Sequence, residues 1–397
     1  MILVEDKFDE NLIRKDFPIT HKKIYMNNGS ISPLPLVSIK AMTDFFLKYS
    51  EEGPDSDAIT IHIESIIFEL RKEISHLLNC DPQEVILTQS TTEGLNYVAN
   101  GLDWKKSDGI IIRGGSNEHY ANYFPWFNLS KKKYVKIYDM NIDNNGFFHM
   151  SDLEKLAKRK NVKLISLTHG LYNTGSIMPV EEVGKIAREN DLLFCLDSAQ
   201  TVGSIKVDVK KINCDFMAFP VFKWLCGPLG LGIFYCSKKS HEFLTPNFIG
   251  GESAIFSKEK KSLIYKDLPE KFQTGFRNFP GVVGSEASIR YLLRLGISNI
   301  RKQNIKLANL LRNEISKISN IKLYGTDDEN QRTSIISFSC PKISSKKIVD
   351  NLSQNGIIAA ERDLDDMKIV RFSPHFYNSE EEVIETIASI KTIINKL

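Results

Sequence analysis

The chain has 397 residues, 42% hydrophobic and 25% charged, ordinary globular values that allow two or three domains around a sizeable core. A net charge of +3 is too small to argue for a nucleic acid or a charged membrane surface as partner. No apolar run is long enough to span a bilayer, and the start MILVEDKFDEN reaches acidic residues too early for a signal peptide, so the expected location is the cytoplasm.

In chain order, Glu84–Thr88 reads as a strand and is followed by a helix from about Thr91. Gly109–Arg113, Tyr134–Tyr138 and Leu164–Thr168 read as further strands. Pro179–Arg188 carries apolar residues at 180, 183 and 186–187, the spacing of one helix face. Leu192–Asp197, Phe216–Phe219 and Leu231–Cys236 are buried-strand patterns. This β–α–β rhythm predicts a mostly parallel, doubly wound α/β sheet. Beyond about residue 282 the character changes: a helical pattern from Val283 to about Lys317, a strand over Thr333–Ser339, a helix near 345–354, a short strand near 368–372 and a terminal helix from about Ser379. The expected organisation is an N-terminal segment (1–24) packing with the small domain, a large domain (25–281) and a smaller C-terminal α+β domain (282–397).

Ligands of open α/β sheets bind beyond the carboxyl ends of the strands, and four features fall at such ends. Thr88-Gln-Ser-Thr-Thr-Glu-Gly94 joins a strand to a helix, with Ser90 and Glu93 at capping-box spacing. It is a plain cap, or a phosphate seat with the hydroxyls of Thr91 and Thr92 beside free amides. Asp197 closes an apolar strand in Asp197-Ser-Ala-Gln200, as an ion-pair partner or a functional carboxylate. Lys223 lies between Phe222 and Trp224; such an amine either snorkels to water or is held neutral as a nucleophile. Arg371 ends the short strand of the small domain, as a surface residue or a carboxylate fork. Together they are the parts that a pyridoxal-phosphate enzyme needs.

On these residues the chain resembles the class V aminotransferase family of fold type I pyridoxal-phosphate enzymes, the group of cysteine desulfurases, selenocysteine lyases, isopenicillin-epimerase-like proteins and kynureninase. The resemblance runs from about Ile24 to the C-terminus. It is most specific over Pro179–Phe234, with Asp197-x-Ala-Gln200, Val207-Asp208, Cys214-Asp215-Phe216, Lys223-Trp-Leu and Gly227-Pro-x-Gly-x-Gly232 in order. Ser90–Asn96, Glu118-His119-x-Ala-Asn122, Arg277-Asn278 and Tyr377-Asn378 add to it. The resemblance implies a fold type I transferase that binds pyridoxal 5'-phosphate and an amino-acid substrate as a homodimer. It makes Lys223 the Schiff-base lysine and proton carrier, and Asp197 the partner of the pyridinium nitrogen. His119 would stack on the ring, Gln200 would donate to its phenolic oxygen, Thr91 and Thr92 would hold the phosphate, and Arg371 would take the substrate carboxylate. Arg277 would lie in a segment that reaches the neighbouring subunit's cofactor.

The chain also departs from the family pattern. Pro220, Phe222 and Phe276 stand where desulfurases place phosphate ligands, and Arg277 would supply the lost charge. Tyr172 occupies the place of an expected asparagine, one residue before Asn173. Desulfurases carry a nucleophilic cysteine on a loop before the carboxylate-binding arginine; that loop here is Ala359–Asp366, and no cysteine follows Cys340. The six cysteines (80, 195, 214, 226, 236, 340) form no C-x-x-C pair and read as buried free thiols, Cys226 in a packed turn among them. The expected activity is therefore a lyase or aminotransferase acting on an L-amino acid without a persulfide cysteine. An isopenicillin-epimerase-like racemase and a non-catalytic binding protein are the alternatives.

Overall fold

The computed structural model describes residues 8–114, 118–143, 145–275 and 277–395. Helix α1 (Glu10–Lys15) is capped by Asp9 and followed by a short strand β1 (Ile24–Tyr25). Two long helices absent from the sequence expectations come next, α2 (Leu36–Glu52) and α3 (Asp57–Leu78). The alternating part then runs β2 (Val85–Thr88), α4 (Thr91–Gly101), β3 (Gly109–Ile112), α5 (Tyr120–Lys133), β4 (Lys136–Asp139), α6 (Met150–Ala157), β5 (Val162–Thr168), α7 (Val180–Glu189), β6 (Leu193–Asp197), α8 (Val209–Ile212), β7 (Phe216–Pro220) and β8 (Gly232–Cys236).

These strands form one seven-stranded sheet in the order β2-β8-β7-β6-β5-β3-β4. All pairs are parallel except those of β8, which is antiparallel to both β2 and β7. Strands β2, β3, β7 and β8 are buried along their whole length, as a sheet covered by helices on both faces requires. The two reversals at β8 cancel, so β2 runs with β7. The carboxyl ends of β2, β5 and β6 therefore reach the same edge, and that edge carries Thr88, Thr168 and Asp197. Helix α7 buries Val180, Val183, Ile186 and Ala187, the face expected from its spacing.

An exposed hairpin, β9 (Ala254–Ser257) with β10 (Ser262–Tyr265), follows. The expected single helical pattern over 283–317 is two helices, α9 (Phe279–Leu295) and α10 (Ile297–Ser316), because Gly296 at φ 81° turns the chain between them. Residue 282 lies inside α9, which packs on α2 and α3. The C-terminal part is β11 (Lys322–Tyr324), β12 (Ile336–Ser339), α11 (Ser345–Gln354), β13 (Ile357–Ile358), β14 (Ala360–Leu364), β15 (Met367–Phe372) and α12 (Glu380–Asn395). Its antiparallel sheet has the order β11-β12-β15-β14. Strand β12 is shorter than expected because Thr333 instead donates its amide to the Gly175 carbonyl, 2.8 Å away, and ties this part to the large sheet. The segment expected as a loop over 359–366 is largely strand: β14 pairs with β15 through Leu364↔Met367, turning at Asp365 (φ 51°).

The N-terminal segment is fastened to both parts. Arg14 pairs with Glu382 at 2.9 Å and donates to the Tyr377 carbonyl. Phe17 packs against Tyr291, Phe376 and Tyr377. Strand β1 pairs in parallel with β13.

Candidate active site

A cavity of about 110 Å³ opens at the carboxyl edge of the large sheet and is lined by Thr91, Thr92, His119, Asp197, Gln200 and Lys223, among others. By volume it holds several waters, and so one small substituted ring. Six of the eight residues expected in the site thus meet in one place.

Helix α4 begins at its floor. Ser90 is the N-cap, accepting from the Glu93 amide at 3.2 Å. Glu93 does not complete a capping box: it accepts from the Gln89 amide and from the Tyr97 hydroxyl. The amides of Thr91 and Thr92 have no protein partner among the described residues, so the positive end of the helix faces the cavity. Gly232 makes this placement possible, because a Cβ there would lie 2.8 Å from the Ser90 backbone.

Asp197 is the last residue of β6, flanked in register by Thr168 and Ala218, and is 2% exposed. One carboxylate oxygen accepts from the Ala199 amide at 2.9 Å. Burial pushes its pKa up to about 6, against the pull of that amide and of Lys223. Lys223 follows β7 by three residues; its carbonyl accepts from the Cys226 amide at 3.0 Å, while its amine forms no hydrogen bond or ion pair with any described residue. Burial brings its amine down to about 8; Asp197 opposes this, and Arg371 and Arg362 add to it.

His119 caps α5, its Nδ1 accepting from the Ala121 amide at 3.2 Å. Burial and then the charges of Lys223, Arg362 and Arg371 lower its pKa to about 4, so the ring is neutral with its proton on Nε2. Behind it lies a buried ion pair, Arg113–Glu118 at 3.4 Å. Glu118 accepts from the His119 amide and from the Thr168 hydroxyl. Tyr172 meets His119 edge to face at 5.0 Å and lines the cavity. Asn173 turns away, toward Thr174 and the Asp363 carbonyl.

Arg371 reaches the site from the small sheet and is 1% exposed. It donates to the Tyr172 carbonyl at 2.8 Å, to Asn27 at 3.0 Å and to Ser30 at 2.6 Å. Among the described residues no carboxylate pairs with it, and its Nε–H is buried without a partner. Burial and then the neighbouring Arg362 lower its pKa to about 9, which leaves it charged at neutral pH. Gly29 passes so close that a Cβ would lie 3.3 Å from both Arg371 and Gln200. Arg362 on β14 donates to the same Ser30 hydroxyl and forms no ion pair among the described residues, Asp363 acting on it only from a longer distance. A buried cation without a counterion is costly, so this corner is built for an anion.

The structure keeps Arg277 away from this cavity within the one chain. It pairs with Glu252 and borders two neighbouring clefts. Pro220 and Phe222 line the cavity; Phe276 lies outside the described residues. No cysteine lines it. Cys226 is fully buried in a turn at φ 51°, and burial pushes its thiol up to about 12. No group of His, Cys, Asp and Glu among the described residues is arranged to hold a metal, and no described helix is long and apolar enough to cross a membrane.

Sequence reasoning missed Arg362, His375 and the Asn27–Ser30 segment, and it named Tyr172 without giving it a role. Only Tyr172 carried a signal, as an aromatic residue at the place of an expected asparagine.

The family model "Aminotransferase class-V" matches residues 24–385. A probable cysteine desulfurase of Pyrococcus abyssi is 32% identical over 97% of this chain and 98% of its own. One from Methanothermobacter thermautotrophicus is 30% identical over 94% of each. Among solved structures, a cysteine desulfurase from Thermococcus onnurineus superposes with a TM-score of 0.92 at 29% identity, covering 99% of this chain and all of the other. The C-DES cystine C–S lyase, at 24% identity and a TM-score of 0.86 over 94% of this chain and 99% of its own, shares the fold.

Proposed function

The chain belongs to the class V aminotransferase family of pyridoxal-phosphate enzymes, and within it we propose a lyase or aminotransferase acting on an L-amino acid, with Lys223 as the covalent and proton-carrying residue. The observation that carries this is the unpartnered Lys223 amine, facing a ring-sized cavity with Asp197 on one side and the open amides of α4 on another.

The residues present fit pyridoxal 5'-phosphate. The bound group supplies an aldehyde for the Lys223 amine and a ring that withdraws electrons from the substrate's Cα. Thr91, Thr92 and the α4 amides hold its phosphate. Pro220 and Phe222 add no charge there, and Arg277 supplies the missing one across a homodimer. Exposed Phe248 and Ile249, beside the same helix start, suit a place in that interface. Asp197 places a carboxylate at the ring nitrogen, where a neighbouring cation holds it ionised despite burial. His119 covers the ring face as a neutral imidazole. Arg371, with its free Nε–H, clamps the substrate carboxylate. Lys223, with a pKa near neutrality, takes and returns the Cα proton.

The relatives are named cysteine desulfurases, and sulfur amino acids are therefore the first substrates to try. We place no protein-bound persulfide in the cycle. Cys195, Cys214, Cys226, Cys236 and Cys340 are buried, and half-buried Cys80 has its thiol pushed up to about 12 by burial and by Glu84 and Asp81. The test is a screen of L-amino acids for sulfide, pyruvate, ammonia, keto acid and inverted enantiomer. Sulfide release with persulfide on the protein contradicts this reading, and inversion alone turns it into an epimerase.

A further inference from the structure

A buried chain of hydrogen bonds runs from the small domain to the cavity wall through Asn304 on α10, His375 after β15, Trp224 and Gln200. The first three are fully buried and Gln200 is 2% exposed. His375 Nε2 lies 3.1 Å from the Trp224 carbonyl, and its Nδ1 lies 3.2 Å from the Asn304 amide. A carbonyl only accepts, so Nε2 carries the proton. Burial lowers the ring's pKa to about 3, so the ring is neutral and Nδ1 must accept. Asn304 Nδ2 otherwise has no partner, and turning that amide over satisfies both groups.

The same reasoning fixes Gln200. The Trp224 indole N–H only donates, and it lies 2.9 Å from Gln200 Oε1. Gln200 Nε2 donates to the Gly29 carbonyl at 2.8 Å. Turned over, the amide would set donor against donor at Trp224 and acceptor against acceptor at Gly29. Nε2 has a second N–H, and Gln200 lines the cavity.

We propose that Trp224 is a positioning residue that locks the Gln200 amide with its N–H side toward the cavity, and that His375 buttresses the lock by holding the Trp224 backbone. The bound ring then always meets a donor at its phenolic oxygen. Because His375 is only four residues beyond Arg371, the lock and the carboxylate clamp are parts of one segment. This rests on the cavity being the pyridoxal-phosphate site, and the experiment separates the two ideas.

The readout is the pH midpoint of the visible absorbance of the bound cofactor in the holoenzyme. An N–H donor to the phenolic oxygen favours the deprotonated form, so losing it raises the midpoint. Gln200→Ala should raise it by about one pH unit, the scale of one hydrogen bond to a charged acceptor. Trp224→Phe should raise it by roughly half that or more, and His375→Leu by less. The Gln200→Ala/Trp224→Phe pair should shift no further than Gln200→Ala alone. A 3-benzothienylalanine at position 224 keeps the indole's shape without its N–H, and should reproduce Trp224→Phe even where that variant folds poorly. A wild-type midpoint with benzothienylalanine, while Gln200→Ala shifts it, overturns the lock alone. No shift with Gln200→Ala overturns the lock together with the placement of the ring against Gln200.

Discussion

The two sides of the cavity differ in what burial does to their charges. On the large-sheet side, Lys223, His119 and Asp197 are moved toward neutrality, to about 8, 4 and 6. On the small-sheet side, Arg371 is buried as deeply, yet at about 9 it keeps its charge, and Arg362 stands beside it with no carboxylate at ion-pair distance among the described residues. The same low-dielectric environment thus gives an amine that exchanges its proton near neutral pH beside an already neutral imidazole on one wall, and an arginine that stays charged on the other. On the proposed function, one wall does chemistry and the other holds the substrate, so variants on the two walls should fail in different ways.

The largest effect is expected at Lys223. Lys223→Ala should lower kcat by at least about 10⁴-fold and leave cofactor binding non-covalent; the check is steady-state kinetics with absorbance of the dialysed protein. Arg371→Ala should lower kcat/KM by roughly 10²–10³-fold, the scale of breaking a buried charge pair, with most of the change in KM. A kcat-only loss would erase the distinction between the walls. Asp197→Asn should keep the cofactor but lower kcat about 10²-fold, as removal of one fixed electrostatic group does. Arg362→Gln should be milder, raising KM several-fold with little change in kcat, since Arg362 lies behind the Ser30 hydroxyl that it shares with Arg371.

The smallest effects are in pH dependence. Uptake of cofactor by the cofactor-free protein should accelerate as pH rises through about 8, where the Lys223 amine loses its proton, and level off above. Stability has the opposite edge. His375, His119 and His169 are buried neutral, with folded pKa values of about 3, 4 and 4 against 6.5. Between those values and 6.5 these histidines bind more protons in the unfolded chain, so their contribution to stability is complete above about pH 6.5 and is lost as pH falls toward 3. Asp197, raised to about 6, works against this trend together with Glu10, Asp139 and Glu286, whose carboxyls burial also raises, while Asp81, Asp208, Glu314 and Glu381, lowered by hydrogen bonds and neighbouring cations, add to it. A series of thermal melts between pH 7 and pH 4 checks the sign.

Much of the reactive wall was legible in the sequence. Strand ends such as Asp197 and the cap at Ser90 are local features, written in contiguous residues: an apolar run, then a polar residue, then a helix signal. The small-domain wall was less legible. Ala360–Leu364 is rich in charge and becomes a strand only by pairing with β15. The helix pattern over 283–317 keeps its periodicity through Gly296, whose positive φ alone divides it. The contacts of Arg371 with Asn27 and Ser30 join residues more than 340 positions apart, and no local pattern announces them. Helices α2 and α3 are the exception: α3 buries Ile59, Ile67, Leu70, Ile74, Leu77 and Leu78 at helical spacing, which the sequence displayed.

The central claim is that Lys223 is the residue that bonds the cofactor. Purified protein incubated with pyridoxal phosphate, reduced with borohydride, digested and weighed by mass spectrometry tests it directly. The account predicts one phosphopyridoxyl group per chain on the peptide containing Lys223, and none there in Lys223→Ala. An unmodified Lys223, with the label elsewhere or absent, would contradict it.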